Sequence, residues 1–163
     1  MQILSVLVEN SAGVLSQVSR MFSRKGYNID SLAVGPTDDP SVSRITILID
    51  VDDLTAEQVA NQLSKLLPVI SVKRLRQEDT LSRELILVKV RVRDRGQRDE
   101  IIQLSNIFRV SIVDVALESL TICVTGDQSK SDALLGLLAE FGILELVRTG
   151  TVAIERGPST IND

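Results

Sequence analysis

The sequence predicts an α+β protein made of two tandem domains, each with the element order βαββαβ. Aromatic side chains make up only 2% of a chain that is 44% hydrophobic, so the core is expected to be aliphatic. Short apolar runs with a period of two, typical of strands, alternate with segments that carry apolar residues every three or four positions, typical of helices. The order found in residues 1–77 recurs in residues 84–163. The polar residues 78–83 between them are predicted to form a linker.

Periodicity and turn residues define the elements of the first domain. Val14, Val18 and Phe22 share one face of a helix that is expected to end at Gly26. Thr55 and Gln58 have the spacing of a capping box, which predicts the start of a second helix. Strands are predicted at residues 3–8, 29–34, 45–51 and 69–75.

The second domain repeats this order without obvious sequence identity. Asp99 and Glu100 are expected to open its first helix, because carboxylates favour a helix N-terminus. Ser129 is expected to open the second helix, and Cys123 is predicted to be a small core residue on a strand. Strands are predicted at residues 86–92, 110–115, 120–124, 143–147 and 152–154.

The composition excludes several kinds of catalytic and metal site. The chain has no His, which excludes a Ser-His-Asp triad, a Cys-His dyad and His-ligated zinc. The single Cys cannot form an intrachain disulfide, which is typical of a reducing compartment. The acidic groups at residues 38–39 and 50–53 lie in predicted turns, where Asp is favoured locally, so no metal site is expected there. The chain is therefore expected to have no catalytic residues of its own.

Charge and hydropathy also limit the partners and the location. With 22 acidic and 18 basic residues the formal net charge is −4, so no nucleic-acid partner is expected. The arginines at positions 91, 93, 95 and 98 are interpreted as a solvated strand end and turn. An RNA-recognition domain shares the element order but stacks bases on strand aromatics, whereas the four aromatics here fall in helices or at their ends. No apolar run is long enough to span a membrane and no signal peptide is evident, so a cytoplasmic location is expected.

The predicted strands are apolar on both faces, which indicates self-association. Leu4 and Val6 alternate with Ile3 and Leu7 along the first strand. In a βαββαβ unit the two helices cover one face of the sheet and leave the other bare. A bare apolar face on a small domain needs covering. A homodimer is therefore expected.

The segment from Glu9 to Leu15, which joins the first strand to the first helix, is the strongest candidate for a binding site. Free backbone N–H groups at the N-terminus of a helix suit a carboxylate, and Gly13 lets a ligand approach the backbone closely. Asn10 and Asn28 carry amides that are able to bind both polar ends of an amino acid. The same residue types are equally typical of an ordinary turn and helix cap, so the pattern alone leaves both interpretations open.

A family resemblance favours the first interpretation. Residues 4–15, Leu-Ser-Val-Leu-Val-Glu-Asn-x-x-Gly-Val-Leu, resemble the opening of ACT domains, which bind amino acids as allosteric effectors. The run Arg24–Leu32, the loop Pro36–Pro40 and the pair Ser43-Arg44 resemble the small regulatory subunits of acetolactate synthase (acetohydroxyacid synthase) more specifically. The resemblance continues through the second domain in three segments, Arg83–Lys89, Ile107–Arg109 and Ile112–Asp114.

The resemblance implies a fold and an effector site. It implies an ACT domain at residues 1–77 and a ferredoxin-like domain at residues 84–163, with the ACT domains paired side by side and valine bound at the dimer interface. The backbone after the first strand would hold the valine carboxylate, the two Asn would come from different protomers, and an Ile would line the side-chain pocket. The implied effector-binding residues are Asn10, Gly13, Val14, Leu15, Asn28 and Ile29.

The resemblance also implies a partner. The small subunit would activate the large catalytic subunit of this transferase in branched-chain amino-acid biosynthesis and would confer feedback inhibition by valine. The cofactors thiamine diphosphate, Mg²⁺ and FAD would belong to the catalytic subunit and not to this chain. The loop at residues 37–40 is a candidate for contact with that subunit. A free-standing ACT sensor that regulates a different enzyme is the alternative.

Overall fold

The computed structural model describes residues 1–163, and its contacts divide the chain into two units. The first unit comprises residues 1–82 and 151–163, and the second comprises residues 83–150. Each unit has an antiparallel sheet with two helices, and the strands and helices follow one another in the predicted βαββαβ order. The α+β class and the two sheets are therefore confirmed.

The first unit contains a four-stranded sheet with the order β2-β3-β1-β4. This order places β2 and β4 at the two edges of the sheet. The bounds of its elements are β1 (Gln2–Glu9), α1 (Val14–Lys25), β2 (Ser31–Pro36), β3 (Val42–Ile49), α2 (Asp53–Ser64) and β4 (Val69–Leu75).

The second unit repeats this topology with the strand order β6-β7-β5-β8. A short 3₁₀ helix, Gln77–Asp79, precedes its first strand, which begins in the first unit. The bounds of the remaining elements are β5 (Thr80–Arg91), α3 (Arg95–Ile107), β6 (Ser111–Val115), β7 (Ser119–Gly126), α4 (Gln128–Leu138), β8 (Ile143–Arg148) and β9 (Val152–Glu155).

Each unit has its own aliphatic core between the sheet and the helices. In the first unit alternate residues of β1 and β3 face α1 and α2. Phe22 of α1 is the one aromatic side chain among the fully buried residues of this core. The buried residues of this core include Leu4, Val6, Val18, Ile45, Ile47, Val59 and Leu63. The equivalent core of the second unit includes Ile86, Val88, Ile101, Ile122, Val124, Leu134 and Leu138. Burial of these side chains is the main contribution to the stability of each unit.

Cys123 is not a core residue, contrary to the prediction. It is only half-buried. The register pairs it with Leu87, so it lies on the face of the sheet opposite to Ile122 and Val124. The prediction failed because both faces of this strand carry apolar residues, and a period of two does not tell which face is the inner one.

Three of the four helices, α2, α3 and α4, begin earlier than the sequence pattern predicted. The side chain of Asp52 accepts a hydrogen bond from the N–H of Thr55 at 2.7 Å, so Asp52 is the N-cap of α2 and Thr55 lies inside the helix. Asp94 caps α3 and Asp127 caps α4 in the same way. An Asp just before a helix satisfies one of the N–H groups that have no partner within the helix. The predicted starts at Thr55, Asp99 and Ser129 were therefore too late by two, four and one residues.

Residues 151–163, which we call the C-terminal segment, belong to the first unit and lie across the outer face of its sheet. The N–H of Thr151 donates to Ser31 Oγ at 2.9 Å, and Arg44 Nη2 donates to the carbonyl of Ala153 at 3.1 Å. The Lys73 ammonium pairs with Glu155 at 2.6 Å. The register of β1, β3 and β4 places Arg44 and Lys73 on the face opposite to the core. Part of the sheet face that was expected to be bare is thus covered by the chain itself.

The sequence predicted a linker at residues 78–83 and a second domain at residues 84–163. In the structure the second unit comprises residues 83–150. The expected linker forms the 3₁₀ helix and the first residues of β5. The end of the chain groups with the first unit, where the N–H of Arg156 donates to the carbonyl of Asp79 at 2.8 Å and β9 pairs with β5.

None of the helices is long and apolar enough to cross a membrane.

Candidate effector-binding site

The N-terminus of α1 has free backbone donors. Its N-cap is Gly13, which has a φ of 85° and offers no side-chain cap. The first helical bond runs from the N–H of Gln17 to the carbonyl of Gly13 at 3.1 Å, so the N–H groups of Val14, Leu15 and Ser16 precede it and have no partner in the chain. No acidic residue lies in the first turn. The positive end of the helix is therefore open to an anionic group.

Gly13 is favoured here by its backbone conformation, and the space beside it is open. A positive φ of 85° is unfavourable for any residue with a Cβ. A Cβ at this position would meet no heavy atom within 4 Å, so the surface beside the open donors is empty. Val14 is 5% exposed and anchors the turn in the core, whereas Leu15 is 45% exposed and leaves apolar surface next to the donors.

Asn10 is fixed by the loop that precedes β3. Its side-chain amide donates to the carbonyl of Pro40 at 2.9 Å, and its backbone N–H donates to the carbonyl of Ser41 at 2.7 Å. The side-chain oxygen of Asn10 has no partner in the chain. The loop thus orients the amide and leaves one acceptor available to a donor such as an ammonium group.

Asn28 and Ile29 lie between the C-terminus of α1 and the start of β2. The amide of Asn28 makes one long bond, 3.4 Å, to the carboxylate of Asp30, and the residue is exposed. Ile29 is half-buried and packs against the core of the first unit. Both residues lead directly into β2, an edge strand of the sheet.

One chain does not bring the predicted site residues together. Asn10 and Gly13 flank the N-terminus of α1, whereas Asn28 follows its C-terminus, and the helix between them has 12 residues. A helix of that length spans about 18 Å, which is several times the length of an amino acid. The two groups of residues can contact one small ligand only if they come from different chains.

The loop at residues 37–40 was a candidate for partner contact from its sequence, and the structure adds that the loop and the adjacent Ser41 hold Asn10. Within it, the carboxylate of Asp39 accepts bonds from the N–H of Ser41 at 2.9 Å and from its hydroxyl at 2.7 Å. These bonds, the hydroxyl bond above all, lower the pKa of Asp39 below its usual value. The Thr-Asp-Asp-Pro turn was the sequence signal for the loop itself. Its contact with Asn10 joins residues far apart in the sequence, so the sequence could not predict it.

Several of the other acidic and basic groups singled out from the sequence have structural partners. Asp52 caps α2, and Asp53 pairs with Arg74 at 3.1 Å. In the second unit Arg93 donates to the carbonyl of Phe141 at 3.0 Å, and Arg98 donates to two carbonyls near β7. No group of three or more His, Cys, Asp and Glu is arranged to hold a metal ion.

The fold of the first unit and the open turn at Gly13 are typical of one class of domain, and comparison with known proteins identifies that class and the family. The first unit is an ACT domain: residues 4–71 match the family model described as an AHAS small subunit-like ACT domain. Residues 83–157 match the model described as the small subunit of acetolactate synthase.

Individual proteins agree over nearly the whole chain. It is 48% identical to the acetolactate synthase small subunit of Mycobacterium leprae over 97% of this chain and 93% of that protein. It is also 48% identical to the probable acetolactate synthase small subunit of Methanothermobacter thermautotrophicus, over 98% of this chain and 95% of that protein. The crystal structure of the acetolactate synthase small subunit from Thermotoga maritima superposes with a TM-score of 0.89 at 39% identity, covering 97% of this chain and 98% of that one. The chain belongs to the family of acetolactate synthase small subunits.

Proposed function

We propose that the chain is the regulatory subunit of an acetolactate synthase, which binds and activates the large catalytic subunit and makes it sensitive to valine. Membership of the small-subunit family supports the pairing with a large subunit. Thiamine diphosphate, Mg²⁺ and FAD are assigned to that catalytic subunit and none of them to this chain. The regulatory role places the protein in the biosynthesis of branched-chain amino acids.

The proposed effector site lies between the ACT domains of two protomers. The free N–H groups at Val14 and Leu15 of one protomer bind the valine carboxylate. The side-chain oxygen of Asn10 from that protomer and the side-chain oxygen of Asn28 from the other accept from the ammonium group. The isopropyl group packs against Ile29, which is half-buried at the start of β2. Charge, hydrogen-bond capacity and apolar surface thus match the three parts of the ligand.

The proposed dimer forms through the free edge of β2. This strand is hydrogen-bonded to β3 on one side only, and Val34 at its centre is 49% exposed. An unpaired strand edge of this kind favours pairing with another strand. In a two-fold symmetric pair each surface contacts its own copy, so the N-terminal end of one α1 is brought towards the C-terminal end of the other. This symmetry is what the separation of Asn10 and Asn28 along α1 requires.

The separation of these residues also supplies a mechanism for regulation. A ligand held by two chains stabilises the arrangement of the dimer in which the two halves of the site are correctly placed. Valine inhibits if that arrangement activates the catalytic subunit less well than the unliganded one, and the coupling is reciprocal by linkage. The observation that carries the proposal is the uncapped N-terminus of α1 with Asn28 at the far end of the same helix.

The direct test is valine binding to the purified chain, measured by isothermal titration calorimetry. Wild type is expected to bind valine saturably, and Gly13→Asp is expected to lose binding, because its carboxylate occupies the place of the ligand's own. Gly157→Asp is the matched control, since Gly157 also has a positive φ, 75°, and no neighbour within 4 Å of a Cβ. A folded wild type without valine binding would overturn the effector site.

The second test concerns the partner. Added to the separately purified catalytic subunit, the chain is expected to raise its activity and to make it valine-sensitive. Gly13→Asp is expected to raise the activity while leaving it insensitive to valine. Valine binding without any effect on the catalytic subunit would favour a sensor of another enzyme instead.

A further inference from the structure

A groove between α1 and α2 of the first unit carries a cluster of positive charge. It has a volume of 620 Å³ and is lined by four cations, two amides and two apolar side chains. We call it the basic groove, and its lining residues are Gln17, Arg20, Met21, Arg24, Lys25, Gln62, Lys65 and Leu66. No carboxylate lines it, although the chain as a whole has a net charge of −4.

The four cations of the basic groove have no partner within the chain. They form no ion pair and no side-chain hydrogen bond, whereas some other cations of the chain, such as Arg74, are paired. Lys73 lies 2.6 Å from Glu155, and Arg148 pairs with the buried carboxylate of Glu84. A concave surface with charge of one sign and no internal compensation attracts a partner of the opposite sign.

Helix electrostatics explain only part of the cluster. Arg24 and Lys25 lie in the last turn of α1, and Lys65 is the C-cap of α2, so each is favoured by the negative end of its helix. Arg20 lies before the last turn and has no such reason to be basic. The helix dipole also does not explain why all four side chains line one groove from which carboxylates are absent.

The length of the basic groove favours a peptide segment over a small anion. Its lining on α1 runs from Gln17 to Lys25, which is about 12 Å along the helix axis. Arg20 and Arg24 are one turn apart, which places their side chains about 6 Å from each other on the same face. A compact anion would contact only one or two of the cations, whereas a segment with carboxylates at successive turns would contact all of them.

The floor of the basic groove is suited to the same kind of segment. Met21 is 8% exposed and Leu66 is half-buried, so apolar side chains between the carboxylates would find a partly apolar surface. Gln17 and Gln62 add amides that are able to bind backbone groups. Flexible Met side chains adapt to varied apolar shapes.

We propose that the basic groove binds an acidic segment of the catalytic subunit. This inference rests on the proposed function, since it assigns a surface to the partnership stated there. The groove lies on the helix layer and not at the edge of β2, so one ACT domain can dimerise through that strand edge and contact the catalytic subunit through the groove. The predicted association is steered by charge and weakens as the salt concentration rises.

The experiment compares three forms of the full chain for binding to the purified catalytic subunit. The groove variant is Arg20→Gln, Arg24→Gln, Lys65→Gln. The control variant is Arg76→Gln, Arg91→Gln, Arg95→Gln, which removes the same number of exposed, unpaired charges elsewhere on the chain. Affinity is measured at low and at physiological salt, circular dichroism reports whether each variant is folded, and size-exclusion chromatography reports whether it dimerises.

The groove variant is expected to bind the catalytic subunit roughly tenfold to a hundredfold more weakly than wild type at low salt, and with a smaller salt dependence. The control variant is expected to bind within about twofold of wild type. Equal affinity of the two variants would overturn the inference, as would loss of dimerisation by the groove variant, which would assign the groove to contact between copies. Wild type that fails to bind the catalytic subunit at all would overturn the proposed function and the inference with it.

Discussion

The two units have the same topology but different N-termini on their first helices. In α3 the carboxylate of Asp94 accepts from the N–H of Gln97 at 2.8 Å, and the side chain of Gln97 accepts from the N–H of Arg93 at 3.0 Å. In α1 the equivalent position is Gly13, which offers no side chain at all. One βα turn thus satisfies its own donors, and the other leaves them free for a ligand. The comparison teaches that the same fold can close or open this turn, and that the capping residue decides whether donors are left for the proposed ligand.

The comparison is sharpened most by testing whether the open turn is completed by a second chain. Gly13→Asp and Asn28→Ala are each expected to abolish valine binding as homodimers. In a heterodimer of the two variants one site carries both changes and the other carries neither, so about one valine per heterodimer is expected to bind. Differently tagged chains, co-expressed and purified by both tags, supply the heterodimer for calorimetry. No binding by the heterodimer would contradict a site shared between protomers.

Opening the closed turn is the converse test. Asp94→Ala removes the cap of α3 and is expected to lower the free energy of unfolding by about 1 kcal/mol, because a helix donor loses its partner. Valine affinity is expected to stay unchanged, since the proposed site draws all of its residues from the first unit. Urea unfolding and calorimetry measure the two quantities, and Asp127→Ala, which removes the cap of α4, is the matched control. A fall in valine affinity with Asp94→Ala alone would show that the two turns are not independent.

The C-termini of the same two helices also differ. Here it is α3, and not α1, that ends in a residue poorly suited to its backbone conformation. Gly26 follows α1 with a φ of 73°, whereas Arg109 follows the end of α3 with a φ of 56° and is the one non-glycine residue with a positive φ. Arg109→Gly is expected to raise the free energy of unfolding by roughly 0.5 kcal/mol. Glycine removes the strain that a Cβ causes at a positive φ, and this gain exceeds the cost of the greater conformational entropy that glycine gives the unfolded chain. Chemical denaturation measures this. Arg109→Ala loses the same charge but keeps the strain, so a gain with Ala would contradict the reason given.

The smallest effect concerns the cap of α2, which contrasts with Gly13 within the first unit. Bonds from Thr55 lower the pKa of Asp52 below its ordinary value of 3.8. The unfolded chain therefore binds this proton more readily, so the stabilisation is present above pH 3.8 and is lost as the pH falls through the lower pKa of the folded state. Asp52→Asn keeps a cap and is expected to flatten the acid limb of melting temperature against pH. Glu57→Gln removes a carboxylate from the same helix and is expected to leave that limb unchanged.

Much of the fold followed from the sequence because it depends on local patterns. Alternation along β1 and β3 and the helical spacing of Val18 and Phe22 predicted which residues form the core, and burial confirms them. The caps at Asp52, Asp94 and Asp127 were missed because Asp is common in turns of every kind, and only the backbone geometry identifies an N-cap.

The candidate site was predictable in part for the same reason. The Gly13 turn is a contiguous motif, so sequence reasoning found it. The contact of Asn10 with Pro40, and that of Arg44 with Ala153, join residues 30 and 109 positions apart. Neither contact leaves a periodic signal in the sequence. The resemblance to a known family, and not physical reasoning on the residues, is the source of the proposal that the ligand is valine.

The C-terminal segment has a consequence for how the chain can be cut. Since residues 151–163 belong to the first unit, the second unit is an insertion in the sequence of the first and not an appendage to it. A stop codon after residue 150 would remove the C-terminal segment, including Thr151, which bonds to Ser31, and Ala153, which bonds to Arg44. Excision of residues 83–150 with a short Gly-Ser bridge from Ser82 to Thr151 is the deletion that preserves the ACT unit with all of its own backbone.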